Sequence, residues 1–285
     1  MVEPLVLFNM EFSWHAIFQK IGLLVAFIFA SWHYRKRACF SLSFWQIIGL
    51  FLILFFLMLG GGRMIGFLEY YLRREFFPPL QFLFQGVESG GFRWCGSLLL
   101  ALIGLPILSI KVLKIKYFNA LLDMLVLIFC VFRMITVWAC QLSGDGCYGV
   151  PTTMPWGMHY EYGNVPSILP VHPTPIYDSI INLLFFLWLL NWDLRKKKTA
   201  GQTAKIYFLI IPIFYIFLEI IRTNPVVAGG ITLPQVVYGL IILLSIPIFK
   251  KLLKQEKRKV ILSAPNANHP NNNKISKAFK QQHGL

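Results

Sequence analysis

The apolar residues of this chain gather into seven runs separated by short polar stretches, at roughly 14–32, 45–66, 93–110, 118–139, 175–193, 205–222 and 232–249. Each run comes close to the ~20 residues an α-helix needs to cross the hydrocarbon core of a bilayer. The pattern predicts an all-α, polytopic membrane bundle of seven transmembrane helices. Lys20 interrupts the first run and Arg93 opens the third. The first run does not have the order of a secretory signal, because its basic cluster, Arg35-Lys36-Arg37, follows the apolar residues instead of preceding them.

Charge gives the runs a direction. Twenty of the 27 Lys and Arg residues fall in alternate connections: after run 1, between runs 3 and 4 (Lys111, Lys114, Lys116), between runs 5 and 6 (Arg195 to Lys198, Lys205) and after run 7. The positive-inside rule then puts the N-terminus outside and the C-terminus in the cytoplasm. Residues 1–250 form the membrane domain. Residues 251–285, rich in Lys and Asn, read as a basic, disordered cytoplasmic tail whose first part lies against anionic lipid. A soluble domain is excluded by composition, since 56% of the residues are hydrophobic while the net charge is +15. No nucleic-acid partner is expected, and the absence of an internal repeat argues against a transporter.

Of the remaining basic residues, Lys20 lies inside run 1 and all the others are arginines: Arg63, Arg73, Arg74, Arg93, Arg133 and Arg222. They fall in or near the outer half. Arginine grips phosphate with a planar fork, so this bias points to a site for a phosphate-bearing ligand, most simply a phospholipid headgroup. The competing explanation is local pairing with Glu69, Glu75, Glu88 and Glu219. Glu219 and Arg222, three apart on one helix face, are expected to pair. The segment EYYLRREFFPPLQFLF mixes aromatics with arginine and suits a helix lying in the membrane interface.

Five cysteines show no CxxC and no Cys/His spacing that suggests zinc, so no metal and no cofactor are expected. Cys140 and Cys147 share the outer face and are open to either reading, a disulfide or two small buried hydrophobes. Between them and beyond runs SGDGCYGVPTTMPWGMHYEYG, a glycine-rich turn without Lys or Arg. Glycines allow backbone N–H groups to approach a ligand closely. Asp145 in this turn either orients a cation, takes a proton, or bonds its own backbone.

SGDGCYG, PWGMHYEYG and VHPTPIYD, taken in order with GGGRMIGFLEYYL, FFPPLQFLFQGVESGG, FLEIIRTN and TLPQVVYGLIILLSIPI, resemble the prolipoprotein diacylglyceryl transferase family across most of residues 10–250. The resemblance implies an enzyme of the bacterial inner membrane with its active face outward. Such an enzyme moves the diacylglyceryl group of phosphatidylglycerol to the lipobox cysteine of a preprolipoprotein, with glycerol phosphate leaving. It implies Asp145 as a catalytic residue and Gly149, His172, Tyr177, Glu219, Arg222 and Gln235 as substrate-binding residues.

Several reactive positions depart from the family pattern. Cys95 stands where the family has the histidine of its His-Gly-Gly motif, and Ser97 replaces a glycine. Val137 stands at the family's span 4 arginine, Cys140 where many members have Asn, Tyr215 at a span 6 arginine, and His15 at a tyrosine. Arg133, one helical turn from Val137, can reach the same region. The expected catalytic set is therefore His15, as the replacement base, with Arg133 and Asp145. Arg63 and Arg93 join the phospholipid-binding set. The alternative is a catalytically altered paralogue that binds phospholipid or lipoprotein, or that uses another acceptor.

Overall fold

The computed structural model describes residues 5–7, 10–37, 42–74, 92–194, 200–224 and 226–263. The interfacial segment after residue 74, the basic cluster at 195–198 and the tail from 264 lie outside the described residues, as do the side chains of Arg73 and Arg74.

Seven helices long and apolar enough to cross a membrane are present among the described residues. Strands β1 (Leu5–Leu7) and β2 (Met10–Phe12) form an antiparallel hairpin before α1 (Trp14–Arg37). Then come α2 (Phe44–Arg74), α3 (Trp94–Lys111) and α4 (Phe118–Ser143). The α4–α5 connection carries the antiparallel pair β3 (Met158–Tyr160) and β4 (Ser167–Val171). It leads into α5 (Thr174–Leu194) and α6 (Gln202–Ile220). A last short hairpin, β5 (Val226–Ala228) with β6 (Ile231–Thr232), precedes α7 (Leu233–Ser263).

The helices outrun the apolar stretches that predicted them, because helical hydrogen bonding continues into water where hydropathy has already fallen. α2 has 31 residues, about 46 Å of helix at 1.5 Å per residue, against roughly 30 Å of hydrocarbon. Its last turns, with Glu69, therefore reach the polar zone. α7 likewise runs past position 250 to Ser263.

α4 is the most buried helix and packs against α1, α5 and α6, while α2 packs on α3, α3 on α7 and α6 on α7. α1 and α2 turn Leu24, Phe27, Phe51 and Phe56 outward, as suits helices bordered by lipid on one side. The α2–α3 crossing depends on glycine. A Cβ on Gly96 would come within 2.1 Å of the Gly61 carbonyl oxygen, and one on Gly61 within 2.3 Å of the Gly96 carbonyl. Small residues permit this close backbone approach in membranes, and Ser97 Oγ adds a 2.6 Å hydrogen bond to the Met58 carbonyl across the same contact.

Polar anchors tie the opposite end of the bundle. Asp123 accepts hydrogen bonds from the backbone N–H groups of Gly201 and Ala204, both at 2.8 Å, and so caps the start of α6. His33 Nε2 lies 2.9 Å from Asp193 Oδ2, and Thr203 donates to the same carboxylate.

Candidate functional site

The polar side chains of α4, α5 and α6 converge near one end of the bundle on a single buried carboxylate, Asp178, in the second turn of α5. Oδ2 of Asp178 accepts from Arg133 Nη2 and, at 3.0 Å, from Arg222 Nη2. Oδ1 accepts from the Tyr215 hydroxyl at 2.7 Å and from Asn182 Nδ2 at 2.8 Å. Arg222 also reaches Glu219 Oε1 at 2.9 Å, as the i,i+3 spacing predicts. The Arg133 guanidinium lies over the Trp94 ring, 4.6 Å from its centroid, a cation–π contact. Charges this deep persist only when paired. Burial opposes ionisation of Arg222, but the charges of Glu219 and Asp178 outweigh it and hold the guanidinium more firmly protonated than usual.

Beside this group, Arg93 forms a two-pronged ion pair with Glu69 of α2. Burial works against its charge; the hydrogen bond and charge of Glu69 reverse that and raise its pKa. Arg93 and Arg222 are thus matched by Glu69 and Glu219, as the local-pairing explanation has it, whereas Arg133 is matched by the distant Asp178, which that explanation does not include. The matching is incomplete at the hydrogen-bond level: among the described residues, the Nε–H donors of Arg133 and Arg222 are buried without a partner. Arg63 is fully buried within α2.

A second cluster forms where the start of α1 meets the end of α4. Gly144 closes α4 in the left-handed conformation, with φ 56°, and Gly146 follows at φ 83°. This double turn folds Asp145 back over the helix end. His15 Nε2 is then 3.1 Å from Asp145 Oδ2 and 3.8 Å from Cys140 Sγ. Asp145 Oδ1 also accepts the Cys147 backbone N–H at 3.3 Å, the local bond expected of an Asp in a turn. Burial pushes the Asp145 carboxyl up, but hydrogen bonds from His15 and Cys147 together with the His15 charge hold it below the usual carboxylate range. Cys140 and Cys147 are both free thiols, so the disulfide reading is not realised here. Cys140 lies about two helical turns after Arg133 on α4, and the Thr174 hydroxyl, one turn before Asp178 on α5, donates to the Cys147 carbonyl. The clusters are therefore neighbours in one polar centre.

A profile of the prolipoprotein diacylglyceryl transferases matches residues 5–250. The chain belongs to the prolipoprotein diacylglyceryl transferase family. Its relatives include the phosphatidylglycerol–prolipoprotein diacylglyceryl transferase of Finegoldia magna, 24% identical over 258 residues that cover 88% of this chain and 97% of the relative. The enzymes of that name from Pasteurella multocida and Mannheimia succiniciproducens are 26% and 27% identical over 212 residues. Those alignments cover 73% of this chain and 74% and 75% of the respective relatives.

As a member of this transferase family, the chain assigns several expected binding residues to the framework of the centre. Gly149 is wedged against α6: a Cβ there would meet the Ile221 carbonyl oxygen at 2.3 Å, and the Gly149 N–H donates to His172 O at 2.8 Å. Gln235 closes the first turn of α7, its Oε1 accepting from the Thr232 N–H at 2.9 Å and its Nε2 reaching the Ile216 carbonyl at 3.2 Å. The Tyr177 hydroxyl takes a 2.7 Å hydrogen bond from Trp156 and lies 3.2 Å from His172 Nδ1, which pins the segments before β3 and after β4 to α5. Cys95, at the family's histidine position, is a buried thiol. Val137 is buried, and Arg133 lies one helical turn below it on α4.

Sequence reasoning left Asn182 out of the site and gave Asp178, a position shared with the family pattern, Tyr215 and Glu69 no catalytic or binding role. Asp178 did carry a signal, since an acid inside an apolar run marks a functional candidate. The metal-ligand spacing rules could not pair His15 with Cys140, which lie 125 positions apart.

Proposed function

We propose that this protein transfers the diacylglyceryl group of phosphatidylglycerol to a cysteine thiol of a lipoprotein precursor, at the extracytoplasmic face of a bacterial membrane. The observation that carries the reading is the Asp178 assembly. It holds two guanidiniums in place and leaves the Nε–H of each without a partner, so a phosphate drawn between Arg133 and Arg222 would find preorganised donors. Such donors act most strongly where charge develops. In the transfer the cysteine sulfur bonds to the glyceryl carbon and the bond from that carbon to the phosphate oxygen breaks. The electron pair goes to the leaving glycerol phosphate. The thiolate is the attacking species, and forming it falls to the His15–Asp145–Cys140 group, which takes over from the absent histidine at position 95. The outward orientation draws support from Lys111, Lys114, Lys116, Lys250 and Lys251, all at the end opposite the polar centre.

The test is glycerol phosphate release by purified protein in phosphatidylglycerol vesicles with a lipobox peptide, alongside complementation of a strain depleted of its own transferase. Release that depends on the peptide cysteine is the expected result. No release together with no complementation would overturn the reading. A second reading, a paralogue that binds lipid without turnover, is favoured by the buried thiol at Cys95 and by the carboxylates that already neutralise Arg93, Arg133 and Arg222. It predicts co-purified anionic phospholipid without release.

A further inference from the structure

The donor atoms of His15, Cys140 and Asp145 lie within 4.8 Å of one another, and all three residues are only partly exposed. Tetrahedral zinc, with bonds of about 2.0–2.3 Å to N, O and S, separates its ligand atoms by about 3.3–3.8 Å. The His15–Asp145 distance of 3.1 Å lies just below that interval and the Cys140–His15 distance of 3.8 Å at its upper edge, with every pair in the set within 4.8 Å. Closing the set asks for shifts of up to about 1 Å, which a change of side-chain torsion at Cys140 or Asp145 supplies. The donors come from three places in the fold: the first turn of α1, the last turn of α4 and the glycine turn that follows it. A plain His–Asp ion pair accounts for two of these side chains but leaves the thiol at the same point unexplained. Cys147 stands beside the set, its backbone N–H donating to Asp145 Oδ1 at 3.3 Å.

We propose that His15, Cys140 and Asp145 bind a zinc ion through three protein ligands, leaving the fourth position open to the acceptor cysteine. A mixed N, S, O set suits zinc, and three protein ligands with one exchangeable position is the arrangement of zinc sites that do chemistry, as against closed structural ones. A thiol that coordinates zinc is held as thiolate. Its proton passes to solvent buffer when the acceptor binds, and zinc itself is neither oxidised nor reduced. His15 Nε2 then serves as a ligand, and the metal does the ionising that would otherwise need a base. The acceptor's part rests on the transferase reading; the metal site does not.

The experiment uses full-length protein in detergent with a phosphine reductant and Co²⁺ as the probe, without lipid. The expected result is one Co²⁺ bound per chain, with a near-ultraviolet sulfur-to-cobalt charge-transfer band. Zn²⁺ should displace the cobalt. Cys140→Ser should abolish the band, and His15→Ala or Asp145→Asn should weaken binding at least about 10-fold, while Cys95→Ser leaves it intact. Absence of the band in the wild-type protein overturns the site whether or not any variant folds, and so does a band that survives Cys140→Ser. In a second arm, a lipobox peptide should strengthen the band while its Cys→Ser counterpart does not. If the cobalt band forms but the peptide leaves it unchanged, the acceptor-ligand role is overturned. Because neither arm needs phosphatidylglycerol, failure of the transfer reading is scored separately, by glycerol phosphate release.

Discussion

Arg133 and Arg222 donate to the same atom, Oδ2 of Asp178. One carboxylate oxygen thus couples α4 to the end of α6 through α5. Each guanidinium is oriented by that oxygen and keeps an Nε–H without a hydrogen-bond partner among the described residues. Orientation of this kind is worth most where water is excluded and the donors need not reorganise during reaction.

Removing the shared acceptor leaves buried Arg133 without a carboxylate and Arg222 with Glu219 alone. Asp178→Asn, which preserves shape, is expected to destabilise the protein by about 3–5 kcal/mol, as when one partner of a buried pair is lost. It should also abolish glycerol phosphate release. Thermal unfolding in detergent and the release assay check the two parts; an unchanged melting temperature contradicts the first.

Arg222→Lys retains the charge near Glu219 but loses the planar fork and its free Nε–H. Release should fall about 10²–10³-fold, the usual effect of losing a preorganised donor at developing charge. Retained helicity by circular dichroism shows that the fold survives. Near-wild-type turnover in this variant would mean that the fork is not aimed at substrate.

The two glycine positions in α2 and α3 separate helix contact from helix propensity. Gly96→Ala sets a methyl group against the Gly61 carbonyl, a backbone atom that cannot swing away, and should cost about 1–3 kcal/mol through overpacking. At Gly60 a Cβ meets open space, so Gly60→Ala should be neutral or favourable by up to about 1 kcal/mol. Melting temperatures that rank the two variants in the other order would refute the crossing geometry.

Asp145 ionises below the ordinary carboxylate range because His15 and Cys147 favour its charged form over the cost of burial. With its folded pKa depressed, its contribution is complete above the unfolded value of about 3.9 and disappears as pH falls through the folded one. The melting-temperature difference between wild type and Asp145→Asn should therefore shrink as pH falls below about 4. A difference that grows on acidification would have the wrong sign.

Much of the fold could be read along the chain. Runs of apolar residues, the helix starts at Phe118 and Thr174 and the i,i+3 pairing of Glu219 with Arg222 are local properties, because each depends on neighbours within one or two helical turns. The arginines were recognised as special, yet the carboxylates that hold Arg133 and Arg93 were not assigned to them. Asp178 lies 45 positions from Arg133, and Glu69 lies 24 from Arg93. Gly149 and Gln235 carry family signature positions, but whether such a residue touches ligand or framework depends on what packs above it.

The sequence by itself determined that this is a seven-helix membrane protein, because the cost of exposing a polar backbone to hydrocarbon makes apolar run length nearly sufficient to set each span. It also determined which residue types crowd one end. Only the tertiary structure decided that Asp178 would join Arg133 to Arg222 and that His15 would meet Cys140 and Asp145. Those meetings depend on the rotation and depth at which α1, α4, α5 and α6 pack, and these are set by side-chain interlocking summed over whole helix faces, as at the Gly61–Gly96 contact between α2 and α3. No single stretch of sequence contains that sum.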